Sequence, residues 1–210
     1  MANPALVKFS AAALSTGGAG IVGWQIVNHL NKGEDKTEVY LTKQGRERAS
    51  SSEEWEKIKG FYASEDQSEL IPNIPKQNIQ IDHIKNWCNK ELSKPLKEQT
   101  AENLKLVETW CSKPRTLTEQ ITALGRAALN VDTEINSNPN KQTWENYANN
   151  YKTAGDTFKI QKKDNSNWVD FTASEATADI MKEWCKDKGS KQYKHSDDSL
   201  FKTYQKWCSQ

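Results

Sequence analysis

The dipeptide Trp-Cys occurs four times in the chain and accounts for every cysteine: Trp87-Cys88, Trp110-Cys111, Trp184-Cys185 and Trp207-Cys208. The two cysteines of each half stand 23 residues apart, and each half closes on Trp-Cys-Ser. The flanking residues follow the same offset of 97: Ile84-Lys85-Asn86 precedes the first pair as Met181-Lys182-Glu183 precedes the third, and Leu104, Val107 and Trp110 match Phe201, Tyr204 and Trp207. Upstream, Trp55 and Tyr62 match Trp144 and Tyr151 at an offset of 89, so the second copy carries eight more residues before its first Trp-Cys. A fixed internal period makes the repeat the unit of folding.

Each copy reads the same way. It opens on a helix, Ser52 to Ala63 or Gln142 to Ala154; Trp144, Tyr147 and Tyr151 form a helical stripe. A less regular segment follows. Pro72 and Pro75 disfavour a helix in the first copy. In the second, apolar and polar residues alternate around Asp164-Asn-Ser-Asn, which predicts a small hairpin. Two further helices carry the Trp-Cys pairs. Between the copies, Thr116 to Glu134 reads as a linking helix with a capping box at Thr116 and Glu119. Asn136-Ser-Asn-Pro-Asn140 ends it with turn chemistry. The six tryptophans Trp55, Trp87, Trp110, Trp144, Trp184 and Trp207 are expected in the core, the other reading being an aromatic platform for carbohydrate or peptide.

Four cysteines allow three pairings. Duplication favours Cys88–Cys111 and Cys185–Cys208, because a unit that was once single bonded internally or not at all. The other reading is buried free Cys beside core Trp. A zinc site is disfavoured because no C-x-x-C occurs and the His residues do not repeat with the Cys. Disulfides imply an oxidising compartment outside the cytosol.

Of the 210 residues, 29 are basic and 28 acidic, and the surplus charge is Lys8, the only charged residue before Lys32. So neutral a chain lacks the electrostatic footprint of a nucleic-acid binder. A mean hydropathy of −0.88 excludes a polytopic membrane protein. Phe9 to Asn31 is nevertheless uncharged for 23 residues, long enough to cross a bilayer, where about 20 suffice. It reads as an uncleaved anchor with Trp24 at one interface, or as a cleaved signal peptide with small residues at Ser15 to Ala19. The charge at Lys8 places the tail inside and the body outside. A separate reading takes Gly18 to Gly23 as a GxGxxG dinucleotide loop. Ser10 to Thr16 is poor strand material, and Leu41 is followed by Thr42-Lys43 rather than by Asp or Glu. That reading would make the chain a membrane-associated nucleotide-dependent oxidoreductase.

Catalytic signatures are absent from the sequence, and no catalytic, cofactor-binding or metal residue is expected. His29 falls in the presumed anchor. His83 is matched by Ile180 in the second copy, which suggests packing. His195 lies beside Asp197 and Asp198 in a charged segment expected to be exposed.

The Trp-Cys pairs, the early Trp and the Ala/Gly-rich N-terminal segment resemble the paralogous membrane-anchored proteins of haemotropic mycoplasmas. Ile84-Lys-Asn-Trp-Cys88 and Tyr204-Gln-Lys-Trp-Cys208 carry the resemblance. It implies a cell-surface location on a wall-less, blood-dwelling bacterium, with roles in host contact or antigenic variety, and no established catalytic residue. The expected architecture is mostly α. An N-terminal transmembrane segment (1–31) and a polar spacer (32–51) lead to repeat one (52–112), a linking helix and turn (113–140) and repeat two (141–210). The expected function is binding or antigen display at the cell surface by a single-pass protein. Its partners would be the lipid bilayer and a host-surface protein or ligand.

Overall fold

A computed structural model describes residues 36–65, 69–154 and 157–210. The presumed anchor, with Gly18 to Gly23 and His29, lies outside the described residues. Among those described, no helix is long and apolar enough to cross a membrane.

The described chain is mostly helical. The first copy contains α1 (Thr37–Lys43), α2 (Ser52–Ser64), α3 (Ile81–Ser93) and α4 (Ala101–Trp110). The second contains α5 (Leu117–Ala123), α6 (Lys141–Ala154), the strands β1 (Lys162–Asp164) and β2 (Asn167–Val169), α7 (Ala178–Gly189) and α8 (Ser199–Trp207). The expected hairpin is present: β1 and β2 are antiparallel, with Lys163 opposite Trp168, and Asn165 takes the positive φ of 54° that the turn requires. It lies within the longer stretch that separates Tyr151 from the third Trp-Cys pair.

Buried apolar residues form two cores. One gathers Tyr40 through Cys111 and the other Leu117 through Cys208. Each is organised around a fully buried tryptophan, Trp110 or Trp207, and a tyrosine meeting it edge-on. The Tyr62 and Trp110 ring centroids are 4.9 Å apart, those of Tyr151 and Trp207 5.6 Å. The same tyrosine hydroxyls accept a hydrogen bond from the backbone N–H of Ile71 (3.0 Å) and Ile160 (3.1 Å). The indole N–H groups donate to the carbonyls of Glu69 (2.7 Å) and Phe158 (2.9 Å). Large aromatic burial with satisfied polar tips lets units this small hold a core.

The repeat is longer than its cysteines suggest. Residues 32–51, expected as a spacer, include α1, which buries Tyr40 and Leu41 in the first core. The linking helix expected over 116–134 is the equivalent element of the second copy and ends at Ala123. Its capping box forms as expected, with Glu119 N–H on Thr116 Oγ1 at 3.2 Å and Thr116 N–H on Glu119 Oε2 at 2.7 Å. It stops early because Gly125 adopts φ +74°, and the N–H groups of Gly125 and Arg126 turn back onto the carbonyls of Thr122 and Ile121. Gly45 (φ +66°) and Arg46 close α1 in the same way, onto Thr42 and Leu41. Leu124, expected on the apolar stripe, is 38% exposed.

After each Gly-Arg turn the chain runs extended beside the end of its own copy. Arg48 bridges Ser112, and Ala128 bridges Ser209, both antiparallel. Arg46 Nε donates to Ser112 Oγ at 2.9 Å and Arg126 Nε to Ser209 Oγ at 3.0 Å. The strand after the first helix of a copy is therefore seamed to the end of that copy. Gly45 matches Gly125 at an offset of 80, so nine further residues, Val131 to Pro139, are inserted between that turn and the first Trp of the second copy.

Candidate functional site

The cysteines pair within copies, Cys88 with Cys111 and Cys185 with Cys208. Their Cα atoms are 5.4 and 5.6 Å apart, and each bond joins the first Trp-Cys helix to the C-terminal cap of the second. The sulfurs meet because Cys88 sits midway along α3 and Cys111 just past the end of α4. All four cysteines are buried, and none is free.

Five of the six tryptophans, Trp55, Trp110, Trp144, Trp184 and Trp207, are buried; Trp87 packs half-buried on the first core. His83 is exposed on α3 rather than packed, because Ile84 and Cys88 take the inward positions. His195 reverses its expectation. It is buried, since the Gln192–Ser196 segment of the second copy lies against the first. Its Nε2 is 3.0 Å from Glu69 Oε1, and its Nδ1 accepts from the Asp197 N–H at 3.2 Å. The His195–Glu69 hydrogen bond is the leading cause holding the Glu69 carboxyl below the usual carboxylate range. Lys194 Nζ reaches Glu65 at 2.8 Å and Glu69 at 3.5 Å.

Glu108 anchors this contact between the copies. It is fully buried on α4 and accepts from the hydroxyls of Tyr193 and Tyr40 (the latter at 3.3 Å) and from the Ser196 N–H at 3.2 Å. Burial pushes its carboxyl above the usual range, against the Tyr193 hydroxyl, the Ser196 N–H and the Arg46 charge, which favour the ionised form. Burial, then the Glu108 charge, raises both tyrosines. Arg46 lies 4.8 Å over the Tyr193 ring and donates to Gln120 at 3.3 Å. Burial lowers its guanidinium to about 10. Every one of these groups is engaged within the protein, so the cluster joins the copies and presents no reacting group to solvent. Among the described residues, no group of His, Cys, Asp and Glu is placed to hold a metal ion.

An open groove lies on the first copy. Arg48, Ala49, Ser50, Trp55, Lys85 and Asn89 line a groove of about 300 Å³. Trp55 forms its floor, with Lys85 Nζ 5.6 Å over the ring. Arg48 on the rim donates to Asn89 Oδ1 at 2.6 Å and faces Glu38 at 3.5 Å. Trp55 belongs to the first core, and it also lines this groove beside the cations Arg48 and Lys85, a juxtaposition that the repeat offset alone does not reveal.

No known protein family, curated protein or solved structure matches this chain.

Proposed function

We propose that the chain is a membrane-anchored surface protein, held by its N-terminal segment, whose two-copy helical body acts by binding or display outside the cell. The observation that carries the reading is the pair of equivalent disulfides, which need an oxidising environment to form and persist. The uncharged stretch behind Lys8 supports it from the sequence, with the charge on the inner side. The resemblance of the Trp-Cys segments to membrane-anchored proteins of haemotropic mycoplasmas points the same way. The engaged state of the buried Glu108 cluster and the open groove beside Trp55 favour recognition over catalysis. Proteolysis of whole cells tests the reading. The body is expected to be shaved from intact cells while the N-terminal segment stays with the membrane fraction. Full protection of the body, or recovery of the chain with free thiols in the cytosolic fraction, would overturn it.

A further inference from the structure

We infer that the groove of the first copy is a docking site for an extended acidic peptide segment of a partner protein, carrying two carboxylates and an aliphatic residue. The inference deepens the binding reading above; it rests on the body being a recognition module and does not need the anchor.

The duplication shows what fits this face. In the second copy the equivalent face is covered by the chain itself, through the nine-residue insertion Val131 to Pro139. Trp144, the counterpart of Trp55, is fully buried there, and its indole N–H donates to the Asn130 carbonyl at 3.2 Å. Lys182, the counterpart of Lys85, donates to the Thr133 carbonyl at 3.1 Å and lies 3.7 Å from Glu134. Lys186, the counterpart of Asn89, pairs with Asp132 at 3.0 Å. Ile135 packs into the second core. The insertion is thus a short peptide held by one lysine on a carbonyl, two charge pairs and one aliphatic side chain, and it leaves from Asn130, whose carbonyl takes the indole N–H.

The first copy lacks the insertion and keeps the receptors. Ser50 and Ser51 join directly where Asn130 and Asn140 are separated. Among the described residues, no acceptor meets the Trp55 indole N–H. Lys85 rests over the ring, and among the described residues no carbonyl meets its ammonium. Two cations line each face, Arg48 and Lys85 in one copy and Lys182 and Lys186 in the other. The charge that an acidic segment needs is therefore retained, although Asn89 stands in place of Lys186 and Arg48 supplies the second cation from another part of the chain. Glu38, near Arg48 on the exposed rim, is the group such a segment displaces. Complementary charge and a satisfied indole N–H give register and specificity to a short extended ligand.

The test uses the full chain in detergent and a synthetic peptide spanning Asn130–Asn140, titrated by fluorescence anisotropy. Saturable binding is expected. It should weaken at least tenfold with Lys85→Glu, and also with Arg48→Glu, whose exposed side chain leaves the core intact. A peptide with Asp132 and Glu134 replaced by Lys should not bind. Absence of saturable binding, or binding unchanged in both variants, would overturn the inference. So would loss with Lys186→Glu instead, since the peptide would then be exchanging with the second copy's own insertion. Surface proteolysis and this titration fail independently, so a chain that is displayed but does not bind the peptide refutes only the groove.

Discussion

Removing one disulfide by paired alanine substitution should cost the same in either copy. The chain-entropy relation acts on the unfolded state and depends on loop length. Both bonds close loops with a sequence separation of 23, which gives about 3.4 kcal/mol each at 25 °C. The folded surroundings differ: the second copy has a hairpin and an insertion that the first lacks. If the bonds act through the unfolded chain, that difference is immaterial, and Cys88→Ala/Cys111→Ala should match Cys185→Ala/Cys208→Ala. Losing both should cost about 7 kcal/mol, comparable with the roughly 5–15 kcal/mol that holds a domain folded. Urea unfolding followed by tryptophan fluorescence measures each variant against the oxidised chain. A loss under about 1 kcal/mol at either pair, or a difference above about 2 kcal/mol between them, would refute the reasoning. Non-reducing peptide mapping of the parent should recover Cys88 linked to Cys111 and Cys185 to Cys208.

Glu108→Ala should cost about 3–5 kcal/mol, since it strands the Tyr40 and Tyr193 hydroxyls and removes the carboxyl whose field balances the buried Arg46 charge; separate melting of the two copies by calorimetry is the expected signature. Gly189→Ala should destabilise by about 1–3 kcal/mol, because a Cβ there would stand 2.6 Å from Thr118 Oγ1 and 2.8 Å from the Tyr204 hydroxyl; an unchanged melting temperature would contradict the packing. Glu91→Gln should cost about 1–2 kcal/mol at pH 7 and nothing at strongly acid pH. Burial opposes ionisation of Glu91, but hydrogen bonds from Lys94, Asn103 and Gln99 outweigh it and hold its carboxyl below the usual range. A depressed folded value gives stability that is present above the ordinary carboxylate range and disappears as pH falls through the folded one. Parallel stability curves for the variant and the parent across acid pH would refute this.

The elements that repeat a strong side chain were legible from sequence. Trp-Cys pairs located the disulfides, Trp144, Tyr147 and Tyr151 located α6, and the turn at Asn165 located the hairpin. The first helix of each copy was not recognised as a repeat element. α1 buries little beyond Tyr40 and Leu41, and its polar surface reads as a spacer. The signal that pairs it with α5 is Gly45-Arg46 against Gly125-Arg126, followed by Ser112 against Ser209. Glu108 was invisible because its counterpart is Gln205, and a single glutamate in a helix gives no hint that a second copy will close over it. His195 was misplaced for the same reason. Its charged neighbours describe an exposed segment, whereas its burial comes from contact with residues more than a hundred positions away. The groove is legible only when the copies are compared in three dimensions, since the nine-residue insertion shifts the repeat register around Trp55 and Trp144.

In each copy the strand that follows the first helix is seamed to the last residues of the copy, where Arg48 bridges Ser112 and Ala128 bridges Ser209. Only Lys113, Pro114 and Arg115 separate Ser112 at the end of the first copy from Thr116, which caps the first helix of the second, and Arg115 donates to the Gly45 carbonyl and to Glu47 at 2.7 Å. A unit closed on itself in this way is a cassette. It can be copied head to tail, or lost, without rerouting the chain inside it, and the cost of adding one is a three-residue strap. Sequence change between cassettes is then free to concentrate on one face, as in the insertion Val131 to Pro139 that the second copy carries and the first does not.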